Sequence, residues 1–156
     1  MLLIKNAKVY APEYVGKNYL LVCGGKIECI EDKIEDFPIA CEVIDAEERI
    51  LTPGFIDQHV HVTGGGGEGS FHTRTPELQL SELVKGGITT VVGLLGTDGL
   101  TRSVENLYAK VQALCEEGVS AYMLTGAYGY PSPTITGEVN LSLIHISEPT
   151  RLQLIS

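Results

Sequence analysis

Two histidines one residue apart, His59 and His61, stand at the end of the apolar run that begins at Phe55. Side chains of a β-strand alternate between its two faces, so both imidazoles are expected on one side, with Val60 on the other. Two imidazoles at one strand end can chelate a divalent metal ion, most often zinc. The spacing alone fits a pair of hydrogen-bonded surface or core histidines at least as well.

The segment after the histidines contains four consecutive glycines, Gly64 to Gly67, followed by Glu68. Glycines adopt unusual backbone dihedral angles and let the backbone approach a ligand closely. Such a loop would bring Glu68 beside the metal as a ligand, a general base or a partner for a substrate ammonium group. The simpler alternatives are a flexible linker and a solvated loop acid, although a linker would more often contain Ser and Pro and lie between domains.

The elements that must position these residues alternate between strand and helix. Apolar strands are expected at residues 54–61, 88–97 and 119–128. The first intervening helix is expected to have Thr75 as its N-cap and Pro76 at its first position, and the second to begin after Ser103. An apolar stripe that ends at Leu114 and Cys115 marks the buried face of the second helix. Repeated βα units with apolar strands predict a parallel sheet, and a (β/α)8 barrel is the strongest candidate.

The ends of the second and third strands also carry polar groups. In a (β/α)8 barrel the chemistry lies at the carboxyl ends of the strands, where this sequence has Thr97 and Tyr128. Thr97 could bond a substrate, and Tyr128 could donate its phenolic proton to a developing oxyanion. The alternatives are a loop or cap residue for Thr97 and a packed aromatic ring for Tyr128.

The chain is expected to have a small β-region before the barrel. Residues 1–52 contain short apolar runs around Gly24-Gly25, which is a two-residue hairpin signal, and they predict a small N-terminal β-sandwich. Residues 53–140 would then hold the first βα units, which amount to about three of the eight strands of a barrel.

Composition excludes several classes of function. The net charge of −9 argues against a nucleic-acid partner, because phosphate contacts need clustered Lys and Arg. No apolar stretch approaches the roughly 18 residues of a membrane span, and the N-terminus does not resemble a signal peptide. We therefore expect a cytoplasmic protein whose four cysteines are reduced and form no zinc ribbon.

Several segments closely resemble one group of enzymes. The stretch "PGFIDQHVH" resembles the approach to the first barrel strand of the metal-dependent amidohydrolases. The segments "HVHVTGGGGEG", "TRTPELQLSELVKGGITTVVGLLGTDG" and "EEGVSAYMLTGAYGYPSPTITG" resemble, more particularly, the isoaspartyl dipeptidases, also called β-aspartyl peptidases. The resemblance covers residues 1–139 and is dense from 50 to 137.

The resemblance implies a metal-dependent reaction. His59 and His61 match the first two metal ligands of the family, which holds two zinc ions. The implied activity is hydrolysis of the β-aspartyl isopeptide bond of a dipeptide, with the zinc ions activating the attacking water. We also expect a full-length parent protein to be a homo-oligomer.

The resemblance further implies a set of substrate contacts. Gly66, Gly67 and Glu68 match a substrate-binding loop whose glutamate holds the free α-ammonium group of the dipeptide. Thr97 matches another substrate contact. Tyr128 matches the tyrosine that stabilises the tetrahedral oxyanion. These side chains lie after the three predicted strands, so the resemblance and the strand pattern point to one edge of the sheet.

The sequence departs from the family beyond the third strand. The family's bridging carboxylated lysine, two further histidines, a substrate-binding arginine and the catalytic aspartate have no counterparts here. The segment "LSLIHISEPTR" at 141–151 resembles a translated sequencing adapter, so residues 141–156 are expected to be a non-native tail. The competing interpretation is two short amphipathic strands around Glu148. On the first interpretation, the chain is the N-terminal fragment of an isoaspartyl dipeptidase and is inactive by itself.

Two alternative functions stay open from the sequence. The chain could begin another amidohydrolase, of the dihydroorotase or deacetylase type, which shares the first strand; the glycine run with Glu68 argues against it. It could also be a non-catalytic fragment that binds a metal through His59 and His61 alone.

Overall fold

The computed structural model describes residues 1–34 and 40–138. By contacts the chain divides into two units, one from Met1 to Pro53 and one that begins at Gly54. The predicted non-native tail, 141–156, lies outside the described residues. In the described part, no helix is long and apolar enough to cross a membrane.

The first unit contains a five-stranded sheet. Its strands are β1 (Leu2–Tyr10), β2 (Tyr14–Cys23), β3 (Lys26–Glu31), β4 (Glu42–Asp45) and β5 (Ile50–Leu51). Strand β1 pairs antiparallel with β2, which pairs antiparallel with β3, and on its other edge β1 pairs in parallel with β4 and then β5. Within this unit the described residues form one sheet. The β-sandwich that the sequence predicts would need a second, facing sheet, which the described residues do not contain.

The hairpin between β2 and β3 turns where the glycine pair predicts. Gly24 and Gly25 both have positive φ, 55° and 76°, which suits the mirror-image turns that join antiparallel strands. All four cysteines are free, and Cys29 lies opposite Leu21 rather than Cys23. Aliphatic side chains form the core of this unit, with Ala7, Val9 and Leu20 as its buried members.

The second unit is a three-stranded parallel sheet with helices between the strands. Its elements are β6 (Phe55–Val60), a 3-10 helix (Phe71–Thr73), α1 (Leu80–Lys85), β7 (Ile88–Gly93), α2 (Val104–Glu116) and β8 (Ser120–Met123). The strands lie in the order β6-β7-β8, and both pairings are parallel. The predicted βαβαβ order is therefore observed, because each apolar strand is separated from the next by an α-helix.

Helix α2 supplies much of the core of this unit. Ser103 caps its start by accepting a hydrogen bond from the backbone N–H of Asn106. The helix buries Val104, Leu107, Val111 and Leu114, which pack with buried residues of β7 and β8. Cys115, which the apolar stripe would include, is exposed. The buried stripe is therefore narrower than the sequence predicts.

The predicted start of α1 is wrong. The helix begins at Leu80, and a capping box between Gln79 and Glu82 satisfies its first backbone N–H groups. Thr75 cannot be its cap, because the Thr75 hydroxyl accepts a hydrogen bond from the N–H of Gly65. The segment 75–79 is therefore part of a loop that precedes the helix.

Candidate active site

The two histidines lie side by side at the end of β6. Their ring centroids are 5.4 Å apart and the rings are nearly perpendicular, at 83°. The register of β6 against β7 shifts between Asp57 and Val60, and the Asp57 carboxylate accepts a hydrogen bond from the backbone N–H of His59 at 3.1 Å. The strand end thus brings both imidazoles together, as the alternation of strand side chains predicts.

The ring of His61 is held from several directions. Its Nδ1 lies 3.2 Å from the carbonyl oxygen of Leu94. Because a carbonyl oxygen only accepts, this contact favours the neutral tautomer in which Nδ1 carries the hydrogen and Nε2 keeps a free lone pair. A Cβ at Gly65 would lie 3.1 Å from the ring, and a Cβ at Gly96 would lie 3.4 Å from it. Two glycine backbones therefore flank the ring, and Nε2 is the nitrogen available to a ligand.

The histidine pair meets part of the requirement for a metal site. Metal-binding histidines commonly donate their other ring N–H to a backbone carbonyl or carboxylate, which fixes the orientation of the ring. Within 1–34 and 40–138, however, no group of three or more His, Cys, Asp or Glu side chains converges. Catalytic zinc sites have three protein ligands, so the described residues fit two of them and leave the set incomplete.

The glycine loop is closed at its base by Gly65 and Thr75. The N–H of Gly65 donates to the Thr75 hydroxyl at 2.7 Å, and the N–H of Thr75 donates to the Gly65 carbonyl at 2.9 Å. Gly66 and Gly67 have positive φ, 72° and 103°, and a Cβ at Gly66 would lie 2.3 Å from the carbonyl oxygen of Thr73. Glycine is therefore required at 66 by both conformation and space.

Glu68 and Thr97 are brought into contact by this loop. The Thr97 hydroxyl donates to Oε1 of Glu68 at 3.0 Å. The pKa of the Glu68 carboxyl is lowered. The largest cause is a hydrogen bond with the backbone of Glu68 itself, followed by the Thr97 hydroxyl and the charge of His61. The side chain is exposed and anionic at neutral pH, so it can receive a cationic group.

Tyr128 follows β8 in an exposed loop, and 75% of its surface is accessible. It shares a cavity of about 440 Å³ with Gly96 and Thr97. A neighbouring cavity of about 350 Å³ is lined by Thr97, Gly67 and Glu68. Thr97 thus lies between Glu68 and Tyr128, which open onto adjacent cavities at the same edge of the sheet.

Asp98 is an acid that the sequence does not single out, and its side chain is 7% exposed. Its Oδ1 accepts hydrogen bonds from the N–H groups of Leu100 and Thr101, and its Oδ2 accepts one from the Thr101 hydroxyl. Arg74, to which the sequence assigns no role, places Nε 3.0 Å from Oδ2. The Thr101 hydroxyl is the largest of the causes that lower the pKa of Asp98 to about 2.

Arg102 is the second residue that the sequence does not reveal. It is a buried residue, with 6% of its surface exposed, and its guanidinium donates to the carbonyls of Gly65 at 3.1 Å and Thr75 at 2.8 Å. Its Nη1 lies 3.9 Å from Asp98. Asp98 and Arg102 stand four residues apart immediately before the helix cap Ser103, and this spacing is the sequence signal that could have revealed the pair.

Comparison with known proteins finds relatives over most of the chain. The structure of β-aspartyl dipeptidase from Fervidobacterium islandicum AW-1, in complex with β-Asp-Leu dipeptide, is 46% identical, with a TM-score of 0.84 over 94% of this chain and 38% of that one. Dihydroorotase of Staphylococcus epidermidis is 34% identical over 116 residues, which are 74% of this chain and 27% of that protein. The chain therefore spans well under half the length of either relative.

A more distant structure shows the same fold. D-hydantoinase from Thermus sp. is 23% identical, with a TM-score of 0.53 over 79% of this chain and 27% of that one. A search of protein-family profiles finds no match.

Proposed function

Because this chain belongs to the amidohydrolase superfamily and resembles its β-aspartyl dipeptidases, we propose that its parent protein is a metal-dependent hydrolase of β-aspartyl dipeptides. The observation that carries the proposal is the hydrogen bond between Thr97 and Glu68 beside the histidine pair. It holds an anionic group on the glycine loop next to a pair of potential metal ligands.

Glu68 is the proposed contact for the free α-ammonium group of the substrate. A β-aspartyl dipeptide keeps this ammonium next to the aspartyl side chain that forms the isopeptide bond. The carboxylate of Glu68 is exposed, and its lowered pKa keeps it anionic throughout the neutral range. The backbones of Gly66 and Gly67, which carry no side chains, leave room for the substrate's amino end.

Tyr128 is the proposed donor to the oxyanion that develops on the scissile carbonyl. Its phenol is exposed and shares a cavity with Thr97, and Thr97 in turn is hydrogen-bonded to Glu68. A hydrogen-bond donor aimed at a developing negative charge lowers the barrier of acyl-transfer reactions.

His59 and His61 are the proposed first two ligands of a zinc centre. When bound, zinc supplies a Lewis acid for the carbonyl and a water of lowered pKa. The contribution of this chain is to fix the His61 ring through the Leu94 carbonyl and two flanking glycines. The two imidazoles need further ligands from outside the described residues.

We further propose that β6, β7 and β8 are the first three strands of a (β/α)8 barrel, with residues 1–52 as a separate β-region. The parallel order and the D-hydantoinase-like fold support this. Residues 141–156 are proposed to be foreign to the parent, which would be a cytoplasmic homo-oligomer. The 156-residue chain alone is then expected to be inactive, because its described residues supply two of the three protein ligands that a catalytic zinc ion needs.

A dihydroorotase is the second candidate, since relatives with that name are 34% identical. Identity to the β-aspartyl dipeptidase structure is higher, at 46%. The glycine loop with Glu68 also suits a substrate that has a free ammonium group. We therefore rank the dipeptidase first.

The decisive experiment uses the parent protein, in which the native sequence replaces residues 141–156. The purified protein is assayed with zinc against β-Asp-Leu, α-Asp-Leu and dihydroorotate, and the 156-residue chain is assayed beside it. We expect turnover of β-Asp-Leu by the parent alone. The variant Glu68→Gln should raise KM strongly, whereas the exposed control Glu13→Gln should leave it unchanged.

Each other outcome would reject a defined part of the proposal. Turnover of dihydroorotate without turnover of β-Asp-Leu would favour the second candidate. Unchanged kinetics for Glu68→Gln would remove Glu68 from the substrate site. Turnover by the 156-residue chain at the rate of the parent would disprove the account of an incomplete site.

A further inference from the structure

We propose that Arg102 is a positioning residue that closes the base of the glycine loop and thereby orients Glu68. Arg102 lies just before α2, 37 residues from Gly65 and 27 from Thr75, and it donates to the carbonyls of both. The proposal rests on the proposed function in assigning the ammonium group of the substrate to Glu68. The closure of the loop itself is independent of that assignment.

The loop base is also held by direct bonds between its two ends. Gly65 and Thr75 are joined by two short hydrogen bonds, and nine residues with several glycines and Glu68 lie between them. A segment this rich in glycine loses much conformational entropy when it becomes ordered. The planar guanidinium of Arg102 bonds both ends of the loop at once and so offsets part of this cost. A lysine ammonium is a compact charge and lacks the rigid fork of donors that fits both carbonyls.

The glycine at position 64 is explained by the same guanidinium. Gly64 has φ 88°, and a Cβ there would lie 2.6 Å from a terminal nitrogen of Arg102 and 2.3 Å from the Thr75 carbonyl oxygen. Any side chain at 64 would therefore displace the Thr75 backbone, the arginine or both. Glycine at 64 thus leaves room for the contact between Arg102 and the Thr75 carbonyl.

Burial of the charge is compensated at the two terminal nitrogens, whereas Nε of Arg102 is buried without a hydrogen-bond partner among the described residues. The side chain of Arg102 is 5% exposed, and a buried guanidinium is tolerated only when it is hydrogen-bonded and paired. The two carbonyls supply the hydrogen bonds, and Asp98 supplies a negative charge 3.9 Å away, held by Arg74 and Thr101. The nitrogen that bonds the Gly65 carbonyl, Nη1, is therefore also the one that faces Asp98.

Arg102 contacts a neighbour of His61 on one side and a neighbour of Thr97 on the other. Gly65, which it holds, lies against the His61 ring. Asp98, which it faces, follows Thr97, the residue that bonds Glu68. The effect of Arg102 on His61 and Glu68 is therefore transmitted through the backbone and through Thr97.

The test compares Arg102→Lys and Arg102→Met with the exposed control Arg49→Met in the parent protein. Amide hydrogen exchange is measured at Gly65 and Thr75, and at Val111 and Leu114 in α2 as a reference for global stability. We expect exchange at Gly65 and Thr75 to accelerate about tenfold or more, because loss of one charge-assisted hydrogen bond changes an equilibrium by that factor. Exchange in α2 should stay unchanged. Unchanged exchange at the loop base, or equal acceleration in α2, would overturn the proposal.

The kinetic arm uses β-Asp-Leu as substrate. Arg102→Lys should raise KM about tenfold or more, because the loop that carries Glu68 loses a charge-assisted hydrogen bond at its base. Combined with Glu68→Gln, it should have little additional effect, since both changes remove the same contact. Full additivity of the two variants would contradict the positioning role. If the wild-type parent does not hydrolyse β-Asp-Leu, the proposed function fails, and the exchange measurement still decides whether Arg102 closes the loop.

Discussion

The hydroxyl of Thr97 donates to Oε1 of Glu68 over 3.0 Å, although 29 positions separate the two residues in sequence. Thr97 follows β7 and Glu68 follows β6, so the contact is a consequence of the parallel pairing of these strands. It joins the glycine loop to the loop after β7, which carries Asp98 and Arg102.

Removing the Thr97 hydroxyl should weaken substrate binding in the parent protein. We expect Thr97→Val to raise KM for β-Asp-Leu about 3- to 10-fold, because the carboxylate of Glu68 loses a hydrogen bond that orients it. Thr97→Ser keeps the hydroxyl and should stay near the wild type. Steady-state kinetics of the two variants check this, and equal KM values for both would contradict it.

The histidine pair should bind a divalent metal ion even in the 156-residue chain, though weakly. Titration with Zn²⁺ by calorimetry should show a binding event that His61→Ala abolishes, because Nε2 of His61 is held ready by the Leu94 carbonyl. The variant His72→Ala alters a histidine in the 3-10 helix and is the matched control. Binding that survives His61→Ala would remove this residue from the metal site.

Substitution at Gly66 should be costly, whereas substitution at Gly99 should not. Gly66→Ala places a Cβ 2.3 Å from a carbonyl oxygen at φ 72°, and we expect it to lower the free energy of unfolding by about 2 kcal/mol or more. A Cβ at Gly99 would have no neighbour within 4 Å, and the φ of Gly99 is not in the left-handed region, so Gly99→Ala should change little. Denaturant unfolding of both variants measures the difference, and similar values for the two would count against the loop geometry.

Asp98 should contribute stability that disappears in acid. Its folded pKa is about 2, below the ordinary value of 3.8, so its contribution is present above about pH 3.8 and is lost as the pH falls towards 2. The loss of stability caused by Asp98→Asn should therefore be larger at pH 6 than at pH 2. Unfolding measured across this range tests it.

A second variant tests the cause of that shift. Thr101→Val removes the hydroxyl that contributes most to it, so the pKa of Asp98 should rise. Carboxyl titration by NMR checks the direction. An unchanged pKa would show that the backbone N–H groups and Arg74 suffice.

Local sequence signals predict much of the second unit. The order of strands and helices and the cap at Ser103 follow from patterns within about ten residues. The closeness of His59 and His61 also follows from alternation along one strand. These features depend on neighbours in the chain, so a single sequence contains the information for them.

Features that depend on distant partners are not predictable in this way. Thr75 has the side chain of a good helix cap, yet it bonds Gly65, and α1 begins at Leu80. The partners of Arg102 are backbone carbonyls, which have the same chemistry at every residue and leave no pattern in the sequence. The roles proposed for Glu68 and Thr97 come from the resemblance to a known family, because spacing alone would not distinguish these two from other loop residues.

Strands β6 and β8 are the two edges of the described parallel sheet, and apolar side chains on both are accessible, among them Phe55, Ile56 and Tyr122. Unpaired edges with apolar side chains are sites at which chains associate wrongly. In the proposed barrel, a polypeptide that has left the ribosome as far as β8 has these two edges uncovered, and a chaperone can bind them until the next strands fold.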